Sequence, residues 1–406
     1  MMASSTTVRV LALAIVAAFS VVCMWFSASA AVDGKSGATA LRFLTAGPQS
    51  LADSAERAFA KKDAARALPW ALDAVHASPI AARPLRLLGK INGAMGNYRR
   101  YDDLMTLAAA AGWRDAPTQS WALERAITTN DMTNAVERGE ALILNDSART
   151  EVLTVFRALS ALPAARRILV ERLTLQPDWR PWFFELRGNV TTDQLVGTAA
   201  ILAALQTTNA RATPAEARAT LATLVNTGKF DLAWTLHEQL FGRRAADQPL
   251  IDSGFGRPDA DYKPGGDATI FDWTILDQAG GEASIARQGE FAHNPALAVT
   301  IDTPSELVLA EQVTALSPGR YALSYRARSD AQDADPKARW QIYCVKDSSA
   351  LDPAELPTPL GTGWTLQSIR FTVPAGCPGI RVRLLAERSD NPLNYWFDDV
   401  VIHRAQ

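Results

Sequence analysis

Hydrophobic positions between residues 50 and 178 recur at helical spacing, and the polar breaks between them recur as well. Lys62-Asp63, Gly96-Asn97 and Asn130-Asp131 lie 34 residues apart, each a helix breaker or N-cap opening an amphipathic run. A second series, Ser78-Pro79, Gly112-Trp113 and Asn145-Asp146, is spaced 34 and 33. Two interleaved series at this period predict antiparallel helix pairs stacked as a solenoid, four pairs in this stretch. In the second pair Leu85, Leu88, Ile91 and Met95 stripe one helix. Tyr98, Tyr101, Leu104, Met105 and Ala108 stripe its partner, and Gly89 marks a close approach between the two.

The register breaks at Trp179-Arg180-Pro181-Trp182-Phe183-Phe184. This cluster is either an exposed patch for a partner or a plug closing the end of the solenoid, and the need of a terminal repeat for a cap favours the plug. Helices are expected again over Thr192–Thr207 and Pro214–Asn226, and a further pair runs from Pro214 to Phe241. Past Gly242 the helical period ends. Residues 243–267 carry Pro249, Pro258 and Pro264 among glycines and read as a linker and the start of a second domain. Short alternating segments follow at Arg320–Arg328, Trp340–Val345, Thr365–Val373, Ile380–Glu387 and Tyr395–His403. They predict an antiparallel β-sandwich over residues 249–406.

With 406 residues, 48% hydrophobic and 21% charged, the chain is globular and long enough for two domains. Forty-one Lys+Arg against 43 Asp+Glu, with no basic stripe interleaved with aromatics, call for no nucleic-acid partner. Arg9 precedes an uncharged run from Val10 to Phe26, then Ser27-Ala28-Ser29-Ala30-Ala31, an A-x-A cleavage signature. Val10 to Val32 is also long enough to span a bilayer. Residues 1–31 are therefore a signal peptide or a retained single-pass anchor, and membrane contact is expected only through them. Cys23 follows Val22 rather than a small residue and lacks a lipidation context. Either reading places the mature chain outside the cytoplasm. There Cys344 and Cys377, the two cysteines beyond that segment, are expected to form a disulfide, with buried free thiols as the alternative.

Several motifs resemble known families. The Leu88-Gly89 pair, the alanines of the second helices (Ala71, Ala74, Ala108 to Ala111) and the unit endings Ser78-Pro79 and Gln176-Pro177-Asp178 resemble tetratricopeptide repeats. The third unit departs from the pattern, with Leu123-Glu124 in place of Leu-Gly. Residues 40–242 are thus similar to a tetratricopeptide solenoid, which implies a protein partner docked on its surface. Leu250-Ile251-Asp252-Ser253-Gly254-Phe255 resembles the opening strand of galactose-binding-like jelly rolls, which include carbohydrate-binding modules of families four and nine. Leu316-Ser317-Pro318-Gly319-Arg320-Tyr321 and Tyr395-Trp396-Phe397-Asp398-Asp399-Val400 resemble a central and the closing strand of that fold. This likeness implies a jelly roll that holds, or once held, polysaccharide.

Strand parity sorts the β segments into an apolar and an arginine-rich side. Tyr321, Leu323, Tyr325 and Ala327 oppose Arg326 and Arg328, and Ile380, Val382 and Leu384 oppose Arg381 and Arg383. Sugar hydroxyls need planar donors and sugar C–H faces need aromatic rings. Arg326, Arg328, Arg370 and Arg383 supply donors, with Tyr343 or Trp364 as platform, unless the face is simply solvated. Trp273 reads as core. Of the adjacent Asp398 and Asp399, alternation lets at most one point to a calcium site, so no metal is expected. The four histidines are scattered, and no nucleophile elbow, phosphate loop or His-Glu-x-x-His is present, so neither catalysis nor a cofactor is expected. The sequence thus predicts a non-catalytic exported scaffold with a glycan-binding-like domain, tied to surface polysaccharide production or export; a pure protein–protein scaffold is the alternative.

Overall fold

A computed structural model describes residues 47–145, 148–186, 189–243, 248–257, 262, 268–330, 332–333, 335–351, 359–389 and 391–405. Residues 1–31, expected to be a signal peptide or anchor, lie outside the described residues. The described chain is a helical array followed by a two-sheet β-sandwich, divided into two compact units at Thr154/Val155.

The first unit contains helices α1 (Pro48–Ala60), α2 (Ala64–Ala77), α3 (Ala82–Ala94), α4 (Tyr98–Ala111), α5 (Ala116–Thr128), α6 (Met132–Leu144) and the first turns of α7 (Arg149–Ser160). The 34-residue period has a backbone cause. Lys62, Gly96 and Asn130 all take left-handed φ values, 61°, 82° and 56°, which end one helix and aim the next. The residue after each is an N-cap, and the Asp63 and Asp131 carboxylates accept the backbone N–H of Arg66 and Asn134. Ser78, Gly112 and Asn145, the second series, are C-caps. A Cβ on Gly112 would lie 2.2 Å from that of Ala82, so only glycine fits there. Gly89 does face the partner helix: a Cβ added there would lie 3.4 Å from Leu104 Cβ and Met105 Cγ. Met95 and Tyr98, expected in the apolar stripes, are instead exposed, because Met95 is the C-cap of α3 and Tyr98 the first residue of α4, both at the turn between the helices. Neighbouring pairs are joined by buried Arg86, which forms an ion pair with Asp115 at 2.8 Å. Burial pushes the Asp115 carboxyl up, but hydrogen bonds from Arg86 and Thr118 hold it below the ordinary aspartate range.

The second unit holds the rest of α7, then α8 (Pro163–Thr174), α9 (Arg180–Phe184), α10 (Thr192–Leu205), α11 (Pro214–Asn226) and α12 (Phe230–Phe241), and the whole sandwich. The aromatic cluster is core: Trp179, Phe183 and Phe184 are buried, with Trp179 edge-on to Phe156 at 5.4 Å. Arg180 holds Glu216 through two hydrogen bonds of 2.6 and 2.9 Å. Glu216 also closes the capping box of α11 with Thr213.

Strands β1 (Thr274–Ile275), β4 (Leu307–Thr314), β8 (Ile380–Ala386) and β6 (Ala338–Cys344) form one antiparallel sheet in that order. Strands β2 (Gly281–Ala286), β3 (Ala296–Ile301), β9 (Leu393–Arg404), β5 (Gly319–Ser329) and β7 (Thr365–Val373) form the other. Between the sheets lie Trp273, Trp340, Phe397, Leu323 and Val382, so Trp273 is core as expected. Cys344 and Cys377 form the disulfide, with Cα atoms 5.7 Å apart and a sequence separation of 33. On the chain-entropy model such a loop contributes about 3–4 kcal/mol.

Two expectations need correction. Residues 250–255 form no strand: Asp252 and Phe255 both take φ of 52°, and the side chain of Gln312 bonds the N–H and C=O of Ile251 in place of a neighbouring strand. Asp398 and Asp399 do not alternate either, because a left-handed Asp399 (φ 51°) bulges β9 and keeps both side chains on the outer side.

Within this second unit, α12 packs on the sandwich through a stripe at helical spacing. Phe230, Trp234 and His237 surround Phe271 with ring centroids at 6.1, 5.2 and 4.7 Å. Phe230 also fills the place of a side chain on Gly379, where a Cβ would lie 2.2 Å from its Cζ. Gly379 is two residues past Cys377, so the disulfide anchors the turn that receives this helix.

Candidate functional site

The outer face of the five-stranded sheet carries a compact group of aromatic and charged side chains. Arg328 on β5 is the register partner of Trp396 on β9, and Trp364 stands one residue before β7 on the other side. The row across the strands is therefore Trp364, Arg328, Trp396, then Ala298 of β3 and Ser284 of β2. The Arg328 guanidinium lies 4.7 Å from the Trp396 ring, 5.4 Å from Trp364 and 5.1 Å from Phe291. Glu290 takes two of its N–H groups. Arg328 is thereby enclosed by three aromatic rings and a carboxylate, a cation–π arrangement.

The next row is polar and more open. Arg326 packs over Trp364 at 5.2 Å and has a long ion pair with Asp399 at 3.5 Å. Its register partner Asp398 has no exposed surface, accepts from Asn294 at 2.6 Å and from the Asp399 N–H at 2.7 Å. Desolvation raises its pKa above the ordinary aspartate value despite those bonds. Glu290, Phe291 and Asn294 all belong to the β2–β3 connection, which thus forms one wall of the site. On the other side of the tryptophan row lie Asp330, Asn394, Thr300 and Glu282. Asn394 donates to Asp330 and accepts from Thr300, each bond 2.6–2.8 Å. That polar row leads to a crevice of about 670 Å³ at the sheet edge, lined in part by Gly280, Gly281, Glu282, Thr300 and Asp302.

Of the residues singled out in the sequence, the fold brings Arg326, Arg328 and Trp364 together. Arg370 is on the same face but six residues further along β7, opposite Ala322 rather than near the tryptophans. Tyr343 and Arg383 lie on the other sheet, where the Arg383 guanidinium stacks on the Tyr343 ring at 5.4 Å. Parity separates inside from outside but does not say which sheet a strand joins. The sequence reading missed Trp396, Phe291, Glu290 and Asn294. Trp396 was reachable, being outward by alternation next to Phe397, whereas the others sit on a connection between two strands it did not identify. Among the described residues no group of three or more His, Cys, Asp or Glu side chains is placed to hold a metal, and no helix is long and apolar enough to cross a membrane.

No family model matches the chain, and no curated protein matches it. Solved structures do resemble its C-terminal part. A putative sugar-binding protein from Bacteroides thetaiotaomicron is 10% identical, with a TM-score of 0.31, over 39% of this chain and 100% of its own. A carbohydrate-binding module, CBM4, is 17% identical with a TM-score of 0.29, over 38% of this chain and 99% of its own. TmCBM61, solved with β-1,4-galactotriose, is 16% identical with a TM-score of 0.25, over 39% and 99%.

Proposed function

We propose that the sandwich binds polysaccharide on the outer face of the five-stranded sheet, and that the chain is a non-catalytic exported scaffold. The observation that carries this reading is the row Trp364, Arg328, Trp396, bordered on both sides by planar hydrogen-bonding side chains. A sugar ring presents a C–H face to an aromatic ring and hydroxyls at its rim, and that row offers both complements at the required adjacency. Arg326 contributes the open donors and Asp399 and Asn394 the acceptors. The disulfide fits an oxidising compartment, in line with export through the N-terminal segment. The tetratricopeptide-like helix pairs are read as the docking surface for a protein partner. Together these features suit a protein that retains surface polysaccharide at the machinery that makes or exports it.

A glycan array with the purified protein tests this. Binding to a polysaccharide that falls at least tenfold in Trp364→Ala and Arg326→Ala, equivalent to about 1.4 kcal/mol or more, is expected. A blank array, with partner capture through the helix pairs alone, would support a pure protein–protein scaffold instead.

A further inference from the structure

The outer face of the four-stranded sheet holds two guanidinium groups against one carboxylate. Arg381 and Arg383 are two residues apart on β8 and so share a face. Their heads converge on one oxygen of Glu311. Arg383 Nε donates to Oε2 at 2.9 Å, and Arg381 Nη1 lies 3.9 Å from the same atom, beyond hydrogen-bond range. Arg381 instead donates a hydrogen bond from Nη2 to Asn226 Oδ1, at 3.2 Å, at the end of α11. Its Nε is buried and meets no acceptor among the described residues. The side chains of Arg381, Arg383 and Glu311 are only 18%, 27% and 22% exposed, so water satisfies them poorly. Arg339, on the same face, has both Glu306 and Glu387 as partners, so the shortage of negative charge is confined to this pair.

A half-buried cation without a full counter-charge is costly. Burial lowers the pKa of Arg381, partly offset by the Glu311 charge and reinforced by repulsion from Arg383. Each guanidinium carries five N–H donors in a planar fork, more than the oxygens of Glu311 and Asn226 can take up between them. We propose that the Arg381–Arg383 pair binds a small oxyanion, a carboxylate or a phosphate, beside Tyr343 and the Asn226 end of α11. An oxyanion between the forks would accept from both at once and supply the missing charge. The source is either a free phosphate or the carboxylate of an acidic sugar. The site lies on the opposite sheet from Trp364, and its fate is independent of the polysaccharide reading above.

Thermal melting of the full protein with inorganic phosphate or galacturonate, against chloride and galactose at matched ionic strength, tests the proposal. A saturable rise in Tm, about 5 °C at one hundred times Kd, is expected with at least one of the two anions. Phosphate alone, or galacturonate alone, identifies the source. Arg383→Gln should abolish the shift and Arg383→Lys, which keeps the charge without the fork, should weaken it tenfold. Arg326→Ala, on the other sheet, should leave it intact. Glu311→Gln should tighten binding, because it removes the competing carboxylate. Neither anion exceeding its control, or a shift that survives both Arg383 variants, would overturn the proposal.

Discussion

At the scale of single residues, Asp398 shows how a strand irregularity shapes the site. Plain alternation would direct Asp398 and Asp399 to opposite sides, and it takes a left-handed Asp399 to keep both carboxylates on the face with Arg326. Asp398 is thereby desolvated and its pKa raised. A raised carboxylate favours the protonated folded state, so its contribution to stability is complete below the ordinary aspartate range and is lost as pH rises through the raised value. The stability of Asp398→Asn relative to wild type should therefore increase with pH across that window and level off above it. Melting curves taken from pH 3 to pH 7 check the sign. A difference that is flat with pH would mean that Asp398 titrates as an ordinary aspartate.

Elements were legible in the sequence to the degree that local chemistry determines them. The helix pairs follow from the left-handed turn residues Lys62, Gly96 and Asn130 and the caps after them, and these are local devices. Strands β5 to β9 were visible through alternation. Strands β1 to β4 were not. β1 has only two residues, and β4 (Leu-Val-Leu-Ala-Glu-Gln-Val-Thr) carries apolar residues on successive positions because both its faces are largely covered. What no local pattern reports is contact between distant elements, as at α12, where Phe230 occupies the space left by Gly379. Gly379→Ala should overpack this seam and cost about 1–3 kcal/mol. In a Phe230→Ala background the same change should cost little, since the colliding ring is gone. Equal costs of Gly379→Ala in both backgrounds, measured by denaturant unfolding, would show that Phe230 does not fill that space.

For the whole molecule, the sequence revealed the fold class, a helical array followed by a sandwich, and the disulfide, but only part of the site. Arg326, Arg328 and Trp364 were found because they are outward residues close in one β segment or across one pair. Tyr343 and Arg383 were grouped with them although they belong to the other sheet, and the strand pairing that assigns the sheets reaches across about a hundred residues of chain, as from Leu297 to Phe397. The separation gives the sandwich two chemically different outer faces. One is aromatic and balanced in charge, the other carries the under-compensated arginines. The first is the face proposed to hold polysaccharide. Hydroxyl-radical footprinting read by mass spectrometry, with and without a saturating polysaccharide, tests that most directly. Trp364 and Trp396 are predicted to be protected while Tyr343 and Trp113 keep their reactivity. Protection of Tyr343 or Trp113, with Trp364 and Trp396 unchanged, would contradict the account.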